Sequence, residues 1–316
     1  MLKVVFMGTP EFACPSLRAL HAHHRVVGVV TTPDQPQGRG LKLQPCAVKN
    51  LATELGLPIF EPLDLQESNF LTTLQDLQAD IFVVVAYKLL PTVVWKIPKC
   101  GTINLHASLL PDYRGAAPIN WAIINGETQT GLTTFFIDDK MDTGNVIQQT
   151  SCVILPEDNF GSLYDKMKNL GAQLLLETME KIERRDFQAI RQENMPQNML
   201  HKAPKIHTQT CYLDFECSAV ELQNLVRGVS PQPGAWLLAS YKNMQQKIKI
   251  FSAKAVGETL PVGQIKTDQR SYLLIGCGMG SLEVLEIQLE GKKICNVKDF
   301  LRGNQASDIK VLKYEK

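Results

Sequence analysis

Residues 101–147 read GTINLHASLLPDYRGAAPINWAIINGETQTGLTTFFIDDKMDTGNVI, and the fold turns on this stretch. It opens with a short apolar strand, Thr102 to Leu105, which carries Asn104 and ends at His106. Side chains alternate across a strand, so Asn104 and His106 share one face while Ile103 and Leu105 take the other. Ser108-Leu109-Leu110-Pro111 breaks the strand, and Arg114-Gly-Ala-Ala-Pro118 leads into a helix. Pro118 falls near the first helical position, where the missing N–H costs nothing. A second strand, Leu132 to Ile137, delivers the acidic loop Asp138-Asp-Lys-Met-Asp142-Thr-Gly144. An amide, an imidazole and a carboxylate thus stand at strand ends, where open α/β sheets place their ligands.

The chain on either side extends the same pattern. Leu2 to Met7 reads as a buried strand, followed by Gly8-Thr-Pro10 and a helix that ends near His21, His23 and His24. That histidine group reads as a solvated helix end, since no other metal ligands accompany it. Val26 to Thr31 is a second strand, and the Pro- and Gly-rich run 32–45 is predicted as an exposed loop without regular structure. Residues 47–56 form a helix, 58–60 a short strand and 66–78 another helix. DIFVVVAY, Asp80 to Tyr87, is an almost unbroken apolar run and reads as a central parallel strand covered on both faces. Val146 to Val153 is a further strand. A core-facing stripe (Leu163, Met167, Leu170, Leu174, Met179, Ile182) then predicts a helix from Ser162, its N-cap, to Arg185. The result is an α/β, Rossmann-like, mostly parallel sheet with helices on both faces. G-x-G-x-x-G is absent, so no dinucleotide site is expected.

Periodicity fades over 188–208, which reads as a linker between a domain at 1–187 and another at 209–316. In the latter, Cys211 to Glu216 is predicted as a strand, and Ser218 to Val229 as a helix with a Ser218/Glu221 capping box. Short strands near 235–240, 247–256, 263–266, 271–277 and 282–289 suggest a small OB-like β-barrel.

Composition sets wider bounds. The 316 residues suffice for two cores, and 44% hydrophobic with 21% charged residues is ordinary for a globular protein. Net charge is +1 but uneven: residues 1–204 hold 18 Lys and Arg against 21 Asp and Glu, and residues 205–316 hold 15 against 11. The basic C-terminal part suits a polyanionic partner. Eight cysteines fall without metal-site spacing and with no C-x-x-C, so a reducing, cytoplasmic setting is expected. No run approaches the ~18 apolar residues of a membrane span.

The trio's chemistry points to acyl or formyl transfer to an amine. Imidazole is the natural base for a neutral amine. A carboxamide N–H can hold the oxyanion, and a carboxylate can orient the ring and favour its charged form. Neither a metal nor a covalent nucleophile is required.

N-L-H-A-S-L-L-P, R-G-A-A-P and D-x-x-x-D-T-G, in this order, resemble the 10-formyltetrahydrofolate-dependent formyltransferases and, among them, those acting on methionyl-tRNA. The resemblance implies that Asn104, His106 and Asp142 are the catalytic trio. It also implies that Ser108, Leu109, Leu110 and Pro111 contribute to the site of the co-substrate 10-formyltetrahydrofolate; the apolar Leu89 and Leu90 of the neighbouring loop either line the same pocket or simply pack. That loop, Ala86-Tyr-Lys-Leu-Leu-Pro91, is one residue shorter than the family's Ala-Tyr-Gly-x-x-Leu-Pro and carries Lys88 for Gly, which bears on the shape of the pteridine pocket. Pro33 to Leu43 is similar to the family's P-D-x-P-x-G-R-G-x-K-L insertion, which engages the acceptor stem; Arg39 and Lys42 are its implied tRNA contacts. Lys247 and Lys249 join them from the 209–316 domain, on a shallow basic surface with too few aromatics for base stacking. The implied activity is formylation of the α-amino group of methionyl initiator tRNA, for translation initiation, by direct attack of the amine on the formyl carbon. The implied enzyme is a monomer without membrane attachment. The rival is a formyltransferase of a small amine, such as a glycinamide ribonucleotide or an amino sugar; the loop at 33–45 and the barrel argue against it.

Overall fold

The computed structural model describes residues 1–37, 42–196 and 200–314. Its first sheet is built from β1 (Lys3–Gly8), β2 (Arg25–Val30), β3 (Ile59–Phe60), β4 (Ile81–Val85), β5 (Thr102–His106), β6 (Gln129–Phe136) and β7 (Val146–Val153). Their spatial order is β7-β6-β5-β4-β1-β2-β3. From β3 to β5 every pairing is parallel, and β6 runs antiparallel to β5. β4 is the IFVVV run, buried at all its positions, as a strand covered on both faces must be. The chain runs from β1 outward to β2 and β3, then returns to β4 on the other side. This reversal makes a topological switch point between β1 and β4, and the carboxyl ends of the strands there are the usual ligand position in such sheets.

The helices are α1 (Cys14–His23), α2 (Ala47–Glu54), α3 (Ser68–Asp76), α4 (Thr92–Trp95), α5 (Pro118–Ile124), α6 (Phe160–Arg184), α7 (Ala219–Gly228) and α8 (Val297–Gly303). One sheet face puts Val5, Met7, Phe82 and Val84 against Phe70 and Leu74 of α3 and Val94 of α4. Alternation turns Val4, Phe6, Ile81, Val83, Ile103 and Leu105 to the opposite face, all buried. There α6 comes close at Gly171, where a Cβ would lie 2.8 Å from Leu105 Cδ2 and 3.2 Å from Leu132 Cδ2.

The chain forms two compact units: Met1–Pro118, Thr130–Val153 and Tyr164–Lys202 in one, and Ile119–Gln129, Ile154–Leu163 and Ala203–Lys316 in the other. The second unit is a nearly closed antiparallel barrel. Its main strands are β8 (Ala235–Tyr241), β9 (Met244–Val256), β10 (Ile265–Thr267), β11 (Leu273–Gly276), β12 (Ser281–Leu289) and β13 (Ile309–Leu312), in the order β10-β11-β12-β9-β8-β13, with the two-residue strand Cys295–Asn296 pairing on β12 off this path. The Ser218/Glu221 capping box starts α7, with Ser218 N donating to Glu221 Oε2 at 2.8 Å and Glu221 N to Ser218 Oγ at 3.2 Å.

Several local expectations are corrected. Run 32–45 is not irregular throughout: Gln35–Gln37 and Lys42–Gln44 pair as an antiparallel hairpin, which Pro36 tolerates as part of an isolated two-stranded ribbon. Cys211–Glu216 is not a strand but follows a 3-10 turn, Thr208–Cys211, with a single bridge from Tyr212 to Trp236. The helix expected from Ser162 starts at Phe160. Asn159 Oδ1 accepts from Ser162 N at 3.0 Å and Ser162 Oγ accepts from Asn159 N at 3.1 Å, a reciprocal cap one turn earlier. His24, expected at a solvated helix end, is only 6% exposed. α8 and β13 come from the stretch after Leu289, where polar residues mask the period.

Candidate active site

β5 carries Asn104 and His106 to the carboxyl edge of the sheet. Its register sets Asn104 beside Val84 of β4, so both polar side chains lie on the face covered by α3 and α4. Beyond His106 the chain bends through Ser108–Pro111, and the bend is tied down internally. Ser108 Oγ donates to Asp112 O (2.6 Å), Thr133 Oγ1 donates to Ser108 O (2.7 Å) and accepts from Leu110 N (3.1 Å), and Gln149 Nε2 donates to Leu110 O (2.9 Å).

The bend returns Tyr113 to the strand end, where its carbonyl meets His106 Nε2 at 2.9 Å. A carbonyl only accepts, so Nε2 carries the proton, and Nδ1 is the nitrogen left to take up another. Nδ1 lies 3.8 Å from Asp142 Oδ2, an ion-pair separation longer than a hydrogen bond. The two side chains are 7% and 11% exposed, so little water screens them from each other. The same Oδ2 accepts from Gly115 N at 3.0 Å. Asp142 sits at φ +56°, a left-handed conformation that Asp adopts more readily than most residues. Gly144 closes this loop against the backbone: a Cβ there would stand 1.7 Å from Phe136 O.

Asn104 Oδ1 is buried and has no hydrogen-bond partner in the protein. Nearby in the fold, the loop after β4 buries the Tyr87 hydroxyl, likewise without a partner, and burial pushes its pKa up to about 12. Buried polar atoms are seldom left unpaired, and two orphans at the carboxyl ends of adjacent strands point to a space that a polar ligand completes. The sequence signal for Tyr113 O and Gly115 N, both missed, was only the turn chemistry of the run between His106 and Pro118.

The other expected residues divide. Ser108, Leu110 and Pro111 are buried and hold the bend, and Leu110 packs on Phe135 and Val146. Leu109 is half-buried. Leu90 is 5% exposed within the core cluster of Val84 and Val94, whereas Leu89 is 65% exposed. Arg39 lies outside the described residues, and Lys42 enters the short hairpin strand. Lys247 and Lys249 are one strand period of two apart on β9. Lys247 is exposed with its Nζ 4.3 Å from the centroid of Trp236, and Lys249 Nζ donates to Pro233 O at 2.8 Å. Beside Lys247, Tyr212, Trp236 and Tyr314 form one cluster, with centroids 5.1–5.3 Å apart, and Trp236 is part of the core. All eight cysteines are free thiols, and among the described residues no helix is long and apolar enough to cross a membrane.

Residues 2–179 match the family model described as formyl transferase, and residues 205–305 match that of the formyl transferase C-terminal domain. The methionyl-tRNA formyltransferase of Bacteroides thetaiotaomicron is 45% identical over 312 residues, covering 97% of each chain. That of Flavobacterium johnsoniae is 43% identical over 310 residues, covering 97% of this chain and 98% of the other. Among solved structures, an N-formyltransferase from Helicobacter canadensis in complex with folinic acid and dTDP-3-aminofucose superposes with a TM-score of 0.67. It is 19% identical, over 90% of this chain and 98% of that one. A sugar 3N-formyl transferase with dTDP and 5-N-formyl-THF gives 0.66, also at 19% identity, over 93% and 99%. At that identity the likeness is one of fold. On its two domain models and its full-length relatives, the chain belongs to the methionyl-tRNA formyltransferases of the formyl transferase family.

Proposed function

We propose that this protein transfers the formyl group of 10-formyltetrahydrofolate to the α-amino group of methionine on charged initiator tRNA. The observation that carries the reading is the meeting of His106 and Asp142 beside the unpartnered carboxamide of Asn104, in a chain with methionyl-tRNA formyltransferase relatives along its length. In this reading the amine nitrogen bonds to the formyl carbon as the bond from that carbon to N10 of the folate breaks. His106 accepts the amine's proton at Nδ1, because Tyr113 O holds the other nitrogen protonated, and the imidazolium gives that proton to N10 as the carbon–N10 bond breaks, so the folate leaves with its N10–H restored. Asn104 turns its N–H₂ to the oxygen that gains charge; losing one such donor costs about 10²–10³ in rate in studied enzymes. Asp142 faces the imidazolium that results and offsets its charge. Every step runs through side chains and the two substrates.

Residues 1–187 serve as the catalytic domain, 188–208 as the linker and 209–316 as the tRNA-binding domain. The bend at Ser108–Pro111 shapes the folate site from behind, and Leu89 and Leu109 offer the apolar surface there. Arg39, Lys42, Lys247 and Lys249 contact tRNA phosphates. The protein works as a monomer in a reducing cytoplasm.

The test is incubation with 10-formyltetrahydrofolate labelled in the formyl carbon and methionyl initiator tRNA, with unacylated tRNA as control. Label on the methionyl amine, and none on the control, is the expected result. Label passing to a small amine but not to the charged tRNA would favour the small-amine reading, and formate release without acceptor would mark a hydrolase.

A further inference from the structure

The segment after α6 reads as a linker, yet its first part comes back to the loop that bears Asp142. Ile190 and Val146 exchange both backbone hydrogen bonds at 2.8 Å, and the Phe187 ring lies 5.8 Å from that of Phe136. This strap delivers Gln192, a polar side chain only 2% exposed. Gln192 Nε2 donates to Asp142 O and to Gly144 O, both at 2.9 Å. Its Oε1 accepts from Arg114 Nε at 3.0 Å and Nη2 at 2.6 Å. The network fixes which end of the amide is which, since a guanidinium only donates and carbonyls only accept. Both amide hydrogens and both lone pairs are used. Only a primary amide of this length has two donors on one side and two acceptor sites on the other. A glutamate would set oxygen against two carbonyls.

The two groups that Gln192 joins are the two approaches to the candidate site. Asp142 belongs to one, with its carboxylate at His106. Arg114 belongs to the other, between Tyr113, whose carbonyl meets His106, and Gly115, whose N–H meets Asp142. We propose that Gln192 is a positioning residue for formyl transfer, holding the Asp142 loop and the Tyr113–Gly115 turn at a fixed spacing around His106. It touches no reacting atom, and the proposal rests on the role given to Asp142 above.

The test is a double-mutant cycle in the full-length protein with charged initiator tRNA and formyl-folate. Gln192→Ala is expected to lower kcat by 10-fold or more, with KM for both substrates changed less than 2-fold; misplacement of about 1 Å can cost on the order of 10² in rate. In an Asp142→Asn background the same substitution is expected to cost several-fold less, keeping only the part that acts on His106 through the Tyr113–Gly115 turn, because residues acting as one unit are not additive. Gln192→Glu keeps the Arg114 contact and the side-chain size, so it supplies the same cycle should the alanine variant fold poorly. An equal fractional loss in both backgrounds, or a rise in KM at constant kcat, would overturn the proposal. Full activity of Asp142→Asn alone would instead sink the role assigned to Asp142, which separates the two failures.

Discussion

Leaving the buried Asn104 oxygen without a partner costs roughly 1–3 kcal/mol, and the fold tolerates that cost at one atom beside His106 and Asp142. Asn104→Ala should therefore cut kcat by about 10²–10³ while leaving the thermal midpoint no lower than wild type, as calorimetry and steady-state rates on one preparation would show. A drop in stability with full turnover would mean that the amide serves packing. His24 makes a second prediction at this scale. Burial is the main cause that lowers its pKa below 6.5, and its Nδ1 is buried without a partner. The folded state then binds fewer protons than the unfolded chain just below that value, so stability is complete above pH 6.5 and is lost as pH falls. Urea midpoints between about pH 5 and 8 should decline on the acid side, and His24→Asn should flatten that decline. An identical slope in the variant would remove His24 as the cause. The sequence put Asn104 and His106 on one face because alternation is a local rule. It misread His24 as part of a solvated helix end, because its burial depends on what packs over that end.

At the scale of elements, the trio depends on contacts that a linear reading does not contain. Strand positions of β1 and β4 follow from apolar runs, and the register of β4 with β5 sets Val84 beside Asn104. Asp142 stands out in the sequence only through its company in D-x-x-x-D-T-G, and its approach to His106 is a tertiary fact. Gly144 makes the difference concrete. In the sequence it is a turn residue; in the fold it is the only residue type that clears Phe136 O, since an added Cβ would sit 1.7 Å from that oxygen. Backbone cannot yield as a side-chain tip does. Gly144→Ala should push the 138–145 loop outward, lower kcat by at least 10-fold through the Asp142–His106 separation, and cost about 1–3 kcal/mol of stability. Unfolding midpoints and rates measured together check it, and a variant matching wild type in both would show that the loop has slack. Gln192 is inconspicuous in the sequence for the same reason: nothing in a fading period reveals where a strap lands.

For the whole molecule, the two compact units carry different physics. The Asn104–His106–Asp142 site belongs to the first, while Lys247 and Lys249 belong to the barrel of the second, on a strand whose even positions 248 and 250 are buried. The alternating pattern of β9 was legible, as was the charge imbalance between the two parts of the chain. The aromatic cluster beneath Lys247 was not, because Tyr212, Trp236 and Tyr314 are brought together from three separated segments. Trp236 holds the Lys247 ammonium over its face at 4.3 Å, which orders a long side chain that would otherwise sweep through solvent. A pre-ordered cation loses less entropy when it meets a phosphate, so Lys247 should matter more than an unheld surface lysine such as Lys298. Lys247→Ala is expected to raise KM for charged tRNA about 3- to 10-fold, with kcat and the affinity for formyl-folate unchanged, and to reduce the slope of log affinity against log salt by about 0.7–0.9 for the one lost phosphate contact. Lys298→Ala should leave both nearly at wild type. Titrations at several salt concentrations would decide it: a slope unaltered in Lys247→Ala would move the tRNA contact off this strand, and a fall in kcat would tie the residue to the chemistry instead.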